Sequence, residues 1–321
     1  MAHTSPITLD TLTFGIEVEM ITCYLTPQVK ERCTPPQETI RPKVAELLSL
    51  SGFPAQQVGR PYSPEVALIP DYHKWSVGYD MSIDYQTQDI YPLLTSTSQS
   101  MSQIIHSDLE IATPILHFNS SKPWAGELAN VLQLLNTGDF RSAVNKTCGI
   151  HVHVGYSNPS GSHFPLEVIK KVAAVMILAE PALDKFHPES RRGQRPFNET
   201  IRYLPHIAYM SDAAVFDLIF SAQSIAHIQQ HTSRDRPHKF AVVSVGEKKT
   251  LEFRQHEGTL DVGVIRMWVG FVTRLVYEAA NMSSEILRAL LTTGRVTPKV
   301  ILERFVKDEE ICGYYRYATR Q

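Results

Sequence analysis

The stretch Thr13-Phe14-Gly15-Ile16-Glu17-Val18-Glu19-Met20 decides how the rest of the chain is read. At a period of two, Ile16, Val18 and Met20 share one face of a strand, and Gly15, Glu17 and Glu19 share the other. Carboxylates two residues apart on a strand stand roughly 7 Å from each other and repel by roughly 2 kcal/mol at an effective dielectric of about 20. Water on the open side of an edge strand absorbs that repulsion, which is the ordinary outcome. The alternative is a face that needs cations. One strand does not choose between them.

Three more segments repeat the pattern. In "CGIHVHVG", Cys148, Ile150, Val152 and Val154 alternate with Gly149, His151, His153 and Gly155. In "TLEFRQHEG", Leu251, Phe253 and Gln255 alternate with Glu252, Arg254 and His256. In "DLEIATPIL", Glu110 is the lone charge among Leu109, Ile111, Ile115 and Leu116. Taken singly, a His-x-His is as often a hydrogen-bonded structural pair as a ligand pair, and a Glu-x-Glu is usually a wet face. Aligned on one sheet, they gather four carboxylates, imidazole and a guanidinium on a single concave surface. Such a surface is costly without bound cations and an anionic substrate. A mainly carboxylate set with one or two imidazoles suits Mg²⁺ or Mn²⁺ better than structural zinc.

The bulk numbers narrow the setting. The chain has 321 residues, 43% apolar and 20% charged, with a net charge of −2. That composition belongs to a soluble globular protein, and the charge argues for neither nucleic acid nor an anionic membrane as partner. The start "MAHTSPITLD" has no basic region followed by an apolar one, so no secretory signal is expected. The longest apolar run, Val172 to Ala179, is too short to cross a bilayer. Four cysteines without Cys-x-x-Cys spacing fit reduced thiols and a cytoplasmic location.

Along the chain, a strand is expected over Thr11 to Leu25 and a short helix over Pro42 to Leu50, followed by an irregular proline-rich segment. "KWSVGYDMSIDY" has the look of a hairpin-like strand pair, and Asp108 to Leu116 of a strand. A helix is expected over Ser121 to Asn136, with Trp124, Leu128, Val131, Leu132 and Leu135 on one face. After the "TCGIHVHVGY" strand, Pro165 opens a helix running to Ala179 or beyond. Pro188 to Pro205 reads as a basic loop, and Ser211 to Gln230 as two short helices. "KFAVVSV" and "KTLEFRQHEG" pair through a turn at Gly246–Lys248, and Asp261 caps a long helix to Asn281. The mixed order, without regular βαβ alternation or a long linker, points to one domain over residues 1–321. Its class is α+β, with a mostly antiparallel sheet bearing one polar face and helices packed on the other.

The ordered series "FGIEVEM", "WSVGYDMSI", "LEIATPIL", "CGIHVHVG" and "KTLEFRQHEGTLD" resembles the amidoligase family, which is itself similar to glutamine synthetase and glutamate–cysteine ligase, the carboxylate–amine ligases. The resemblance spans about Phe14 to Asp261. It implies a glutamine synthetase-like catalytic domain using ATP with Mg²⁺ or Mn²⁺. It places Glu17, Glu19, Glu110, His151 and Glu252 at positions that hold metals bridging ATP phosphates, and Arg254 at the phosphate and the reacting centre. Asp80 and Ser82 fall in the family's aspartate–serine element. Arg191, Arg192, Arg195 and Arg202 lie in the basic loop, where a nucleotide-phosphate role stands beside that of a solvated charged segment.

No glycine-rich phosphate loop is present in the sequence, so metals and arginines would hold phosphate instead. The implied chemistry is attack of a substrate carboxylate on the γ-phosphate of ATP, then attack of an amine on the acyl phosphate to give an amide. His153 or Asp80 would take the amine proton. Substrates would be small carboxylates and amines of amino-acid or peptide type, and the oligomeric state is left open. Two other readings compete: a metal-dependent hydrolase, since His-x-His with carboxylates also activates water, and a non-catalytic binder of a small anion.

Overall fold

The computed structural model describes residues 7–26, 36–58, 70–95, 100–118, 123–157, 163–193, 199–232, 239–245, 248–294 and 296–318. Strands are β1 Leu12–Tyr24, β2 Ala55–Gln57, β3 Trp75–Gly78, β4 Ile105–Ala112, β5 Leu116–His117, β6 Phe140–Ala143, β7 Gly149–Tyr156, β8 Phe240–Val245 and β9 Lys248–Glu257. The main helices are α1 Pro36–Leu50, α2 Thr87–Leu94, α3 Trp124–Leu134, α4 Leu166–Leu178, α5 Asp212–Phe220, α6 Ile225–Thr232, α7 Val262–Asn281, α8 Ser284–Leu291 and α9 Glu309–Ala318. The strands form one sheet in the order β2-β3-β4-β1-β7-β9-β8, with β5 and β6 also paired to β1. Among the described residues only β2–β3 is parallel. The fold is α+β around a mostly antiparallel sheet.

β1 is the spine because it is long and two-sided. Its back-face residues Phe14, Ile16, Val18 and Met20 are almost wholly buried, as are Leu109 and Ile111 of β4, Val152 and Val154 of β7, and Leu251 and Phe253 of β9. These join one large core with α1, α3, α4 and α7. Full burial of one Val, Leu, Ile or Phe is worth roughly 1.5–3 kcal/mol, so this back face far outweighs the roughly 2 kcal/mol of front-face repulsion. Asp261 caps α7 as expected, its Oδ1 accepting from the backbone N–H of Gly263 at 2.8 Å and of Val264 at 3.3 Å.

The front face is not polar throughout. Beyond Glu17 and Glu19, the same side of β1 carries Ile21, Cys23 and Leu25. These pack with Ile83, Ile90, Leu94, Ile104 and Cys148 in a second apolar cluster to which α2 contributes. Helices therefore cover part of the face that also bears the carboxylates.

Several boundaries differ from the sequence expectation. The first helix starts at Pro36 and carries Pro42 inside it rather than beginning there. Of the expected strand pair around residue 80 only Trp75–Gly78 forms. There the Asp80 side chain accepts the backbone N–H of Ser82 at 2.6 Å and folds the chain into a turn. The strand expected to reach Leu116 breaks after Ala112, where Thr113 bonds Ile16 through both its backbone N–H and its Oγ1 and Pro114 follows. β6 and α2 were not foreseen. The helix expected from Ser121 begins at Trp124, and residues 121–122 lie outside the described residues, as do Arg195, residues 158–162 of the loop after β7 and the turn at 246–247.

The largest departure lies in β9. Ile150 pairs with His256 but Val152 pairs with Phe253, so Arg254 and Gln255 both stand opposite His151. This β-bulge shifts alternation by one. His256, expected beside Glu252 and Arg254, instead turns to the back, where its ring lies 5.6 Å from that of Trp268 on α7.

Candidate active site

Register brings the charged residues together across five adjacent strands. Glu17 on β1 stands opposite His151 on β7. Glu19 stands opposite Glu110 on β4, and Glu110 opposite Gly78 on β3. His153 stands opposite Glu252 on β9. Asp80 arrives from the turn after β3.

Glu17 lies at the centre. One of its oxygens is 3.2 Å from His151 Nδ1 and the other 3.1 Å from His153 Nε2, and the side chain stays 25% exposed. His151 Nε2 also reaches Glu19 Oε1 at 3.3 Å. The other Glu19 oxygen accepts the Gly149 backbone N–H at 2.6 Å. His153 Nδ1 meets the Thr250 hydroxyl at 3.1 Å, and its Nε2 stands 3.8 Å from Glu252. Arg254 Nη1 donates to Glu252 Oε1 at 2.5 Å.

These surroundings split the carboxyls into two kinds. Burial pushes Glu17 up, but His153, with hydrogen bonds from both histidines, outweighs it and holds the group well below the usual range. Glu252 also ends lowered, because Arg254 and His153 overcome its burial. Glu110 is pushed well above the usual range by burial and then by Glu17, Asp80 and Glu19. Burial raises Glu19 against the opposing pull of His151. For His153, burial disfavours the charge, yet Glu17 and Glu252 raise it to about 9. One end of the face is thus balanced by its own cations and the other end is an excess of negative charge.

Three sets of ligand atoms lie close enough to share a cation: Glu17, His153 and Glu252; Glu17, Glu110 and His151; Glu19, Asp80 and Glu110. Glu19 Oε1 is buried and makes no hydrogen bond. Oxygen-rich donor sets holding such an atom fit a hard divalent cation of the Mg²⁺ or Mn²⁺ kind. All five residues expected at metal positions come together here, joined by Asp80 and His153.

The basic loop separates into different parts. Arg191 is buried, with Nη2 donating to the Cys148 carbonyl at 2.9 Å and the His256 carbonyl at 2.8 Å, so it ties the start of β7 to the end of β9. Arg192 is exposed and donates to the His187 carbonyl at 2.6 Å. Arg202 faces away, clamping the Ile207 and Met210 carbonyls and Asp212. The buried Lys239 ammonium reaches Asp184 at 2.5 Å, and the second Asp184 oxygen accepts the Gly193 N–H at 2.9 Å. The Lys239 carbonyl accepts the Arg254 N–H at 2.9 Å, which links this loop to the bulge.

Two positions were passed over in the sequence. Thr250 shares parity with Glu252 and Arg254, so alternation alone marks it as a front-face residue. Gly149 is a close approach: a Cβ there would stand 2.5 Å from Arg191 Nη2 and 2.9 Å from His151 Nε2. Only glycine leaves room for both.

Behind the bulge, His187 and His256 are buried with rings 5.8 Å apart. Burial, then His256 and Lys239, hold His187 well below the usual imidazole range, and burial holds His256 at about 4. Folded values below unfolded ones mean stability that is complete above about pH 6.5 and is lost as pH falls, since only the unfolded imidazoles take up protons. Each such histidine contributes a slope of up to about 1.4 kcal/mol per pH unit. Denaturant titrations at pH 7 and pH 5 should show a smaller acid loss for His187→Asn than for the parent chain. An equal loss would mean that His187 already binds its proton in the folded state.

A mostly antiparallel sheet thus gathers clustered glutamates, paired imidazoles and an arginine on one face, with donor atoms close enough to share a cation. Residues 10–276 match the family described as "Putative amidoligase enzyme", and the chain belongs to that family. No curated protein matches it. Membership brings the class with it: an amidoligase acting on small-molecule substrates. No helix among the described residues is long and apolar enough to cross a membrane.

Proposed function

We propose that this protein is an ATP-dependent carboxylate–amine ligase that forms an amide through an acyl phosphate, with divalent metals held on the front face of the sheet. The observation that carries the reading is the convergence of Glu17, Glu19, Asp80, Glu110 and Glu252 with Arg254 in one patch, where the carboxyl charge exceeds what the local cations balance. Glu17, Glu19, Glu110, Glu252 and His151, with Asp80, would hold the cations. When bound, Mg²⁺ or Mn²⁺ supplies positive charge against the triphosphate and the transferring phosphoryl group.

The chain's own groups do the rest. Arg254, fixed at 2.5 Å by Glu252, keeps further guanidinium N–H groups to meet phosphoryl oxygens as charge spreads in the transition state. His153 carries the proton. Glu17 and Glu252 hold it protonated, and neutralising those carboxylates frees its Nε2 to accept a proton from the attacking amine. Asp80, grouped with Glu19 and Glu110, serves the cation side and not the proton step. Of the two loop arginines expected at nucleotide phosphate, Arg192 on the exposed rim takes that part in this reading, whereas Arg191, buried and bonded to the Cys148 and His256 carbonyls, braces the floor of the site instead.

The experiment is a screen of amino-acid and small-amine pairs for phosphate release. The expected result is release that needs Mg²⁺ or Mn²⁺, ATP, an acid and an amine together, with an amide as product. Hydrolysis of amides without ATP would replace this reading with a metal-dependent hydrolase. Nucleotide or anion binding without turnover for any pair would leave a binding protein.

A further inference from the structure

A second group of histidines lies apart from the acidic face and has no role in the chemistry above. His227 and His231 are four residues apart on α6, so both project from one side of the helix. His206, in the turn after Ile201–Tyr203, approaches the same side: its Nε2 stands 3.1 Å from His231 Nδ1. The His206 and His231 ring centroids are 5.2 Å apart, and those of His227 and His231 are 5.5 Å apart.

We propose that His206, His227 and His231 form a surface site for a divalent transition metal of the zinc class. A tetrahedral cation with Zn–N bonds of about 2.0–2.1 Å sets its ligand nitrogens roughly 3.3–3.4 Å apart. The His206–His231 separation is already near that value; in the proposed site the His227 ring, its centroid 5.5 Å from that of His231, turns toward the pair to supply the third nitrogen, with water in the fourth position. Two histidines at i and i+4 on a helix are a recurrent zinc-binding pair.

The scaffold holds the three in place. Each of the two segments is pinned by the residue next to its histidine, because Ile207 and Ile228 are both buried in the core. The turn carrying His206 is further fixed by Arg202, which donates to the Ile207 carbonyl at 2.6 Å and to the Met210 carbonyl at 2.7 Å. On the other side, the Gln229 side chain donates to the Val242 carbonyl of β8 at 2.8 Å and sets the rotation of α6. An all-imidazole set favours Zn²⁺, Ni²⁺ or Cu²⁺, whereas the oxygen-rich front face favours Mg²⁺ or Mn²⁺. The two sites are therefore separable by metal hardness. The plain alternative is an imidazole–imidazole hydrogen bond, which needs only His206 and His231.

Calorimetric titration of chelator-stripped protein with Zn²⁺, under excess Mg²⁺ to fill the acidic face, tests this. One equivalent of Zn²⁺ should bind, and alanine at His206, His227 or His231 should each weaken it about tenfold or more, as loss of a ligand does. The Glu17→Gln variant should keep that equivalent. If His206→Ala disturbs folding, His206→Gln takes its place, and Co²⁺ bound to the parent chain should show the visible absorption of a tetrahedral nitrogen site. The site does not exist if His206 or His227 variants bind Zn²⁺ as tightly as the parent, or if the equivalent disappears with Glu17→Gln.

Discussion

Arg254→Lys is expected to lower kcat by two to three orders of magnitude while leaving ATP binding nearly unchanged. That corresponds to roughly 3–4 kcal/mol of lost transition-state stabilisation. Arg254 lies beside Glu252 at 2.5 Å, and Glu252 with Glu19 strengthens its hold on the proton against burial. A counter-ion for Glu252 needs only charge, and lysine keeps it. Stabilising a transferring phosphoryl group needs a planar fork that can bond Glu252 and phosphate oxygens at once, which a single ammonium does not reproduce. Steady-state kinetics on a folded Lys variant separates the two. Turnover near that of the parent would reduce Arg254 to neutralising the sheet and would withdraw the main support for phosphoryl transfer.

Glu17→Gln and Glu110→Gln should both reduce turnover about a thousandfold, roughly 4 kcal/mol, yet move the stability of the metal-free protein in opposite directions. Glu17 is held below the usual range by its histidines, so its charge stabilises the fold at neutral pH, and that contribution is lost as pH falls through the folded value. Removing the charge should lower the melting temperature. Glu110 is pushed up by burial and by neighbouring carboxylates, so it opposes folding increasingly as pH rises above the unfolded value. Glutamine there should raise the melting temperature, by about 2 °C per kcal/mol relieved in a chain of this size. Melting curves in chelator, then with Mg²⁺ and ATP, provide the measurement. In the second condition the parent should gain far more than either variant. Equal gains in all three would remove both residues from the cation site.

Much of this was legible in sequence because β1, β4 and the first part of β9 obey simple alternation. Glu17, Glu19, Glu110 and Glu252 could be assigned to one face from parity alone, and antiparallel pairing then brings them into register. What was not legible depends on contacts remote in the chain. The second apolar cluster on the front face needs α2, whose sequence "TQDIYPLL" carries a proline and gives little helical signal. The proline-rich stretch before Asp80 likewise conceals how that carboxylate comes to stand near Glu19 and Glu110. The burial of Arg191 depends on glycine at position 149, forty-two residues away in sequence, leaving space for a guanidinium.

The bulge in β9 has a consequence for how the motif Glu-x-Arg-x-His is to be understood. In a regular strand the side a residue faces is a matter of odd or even, and its three charged positions would be equivalent. The extra residue acts like a carry in addition: Glu252 and Arg254 are counted on one side, and His256 starts the count afresh on the other, against Trp268. A single deletion between Arg254 and His256 would remove the extra residue and still leave the imidazole on the interior side, one place after Arg254. A regular strand that kept every residue would instead carry that imidazole to the acidic face, so here the spacing of the letters carries as much information as the letters themselves.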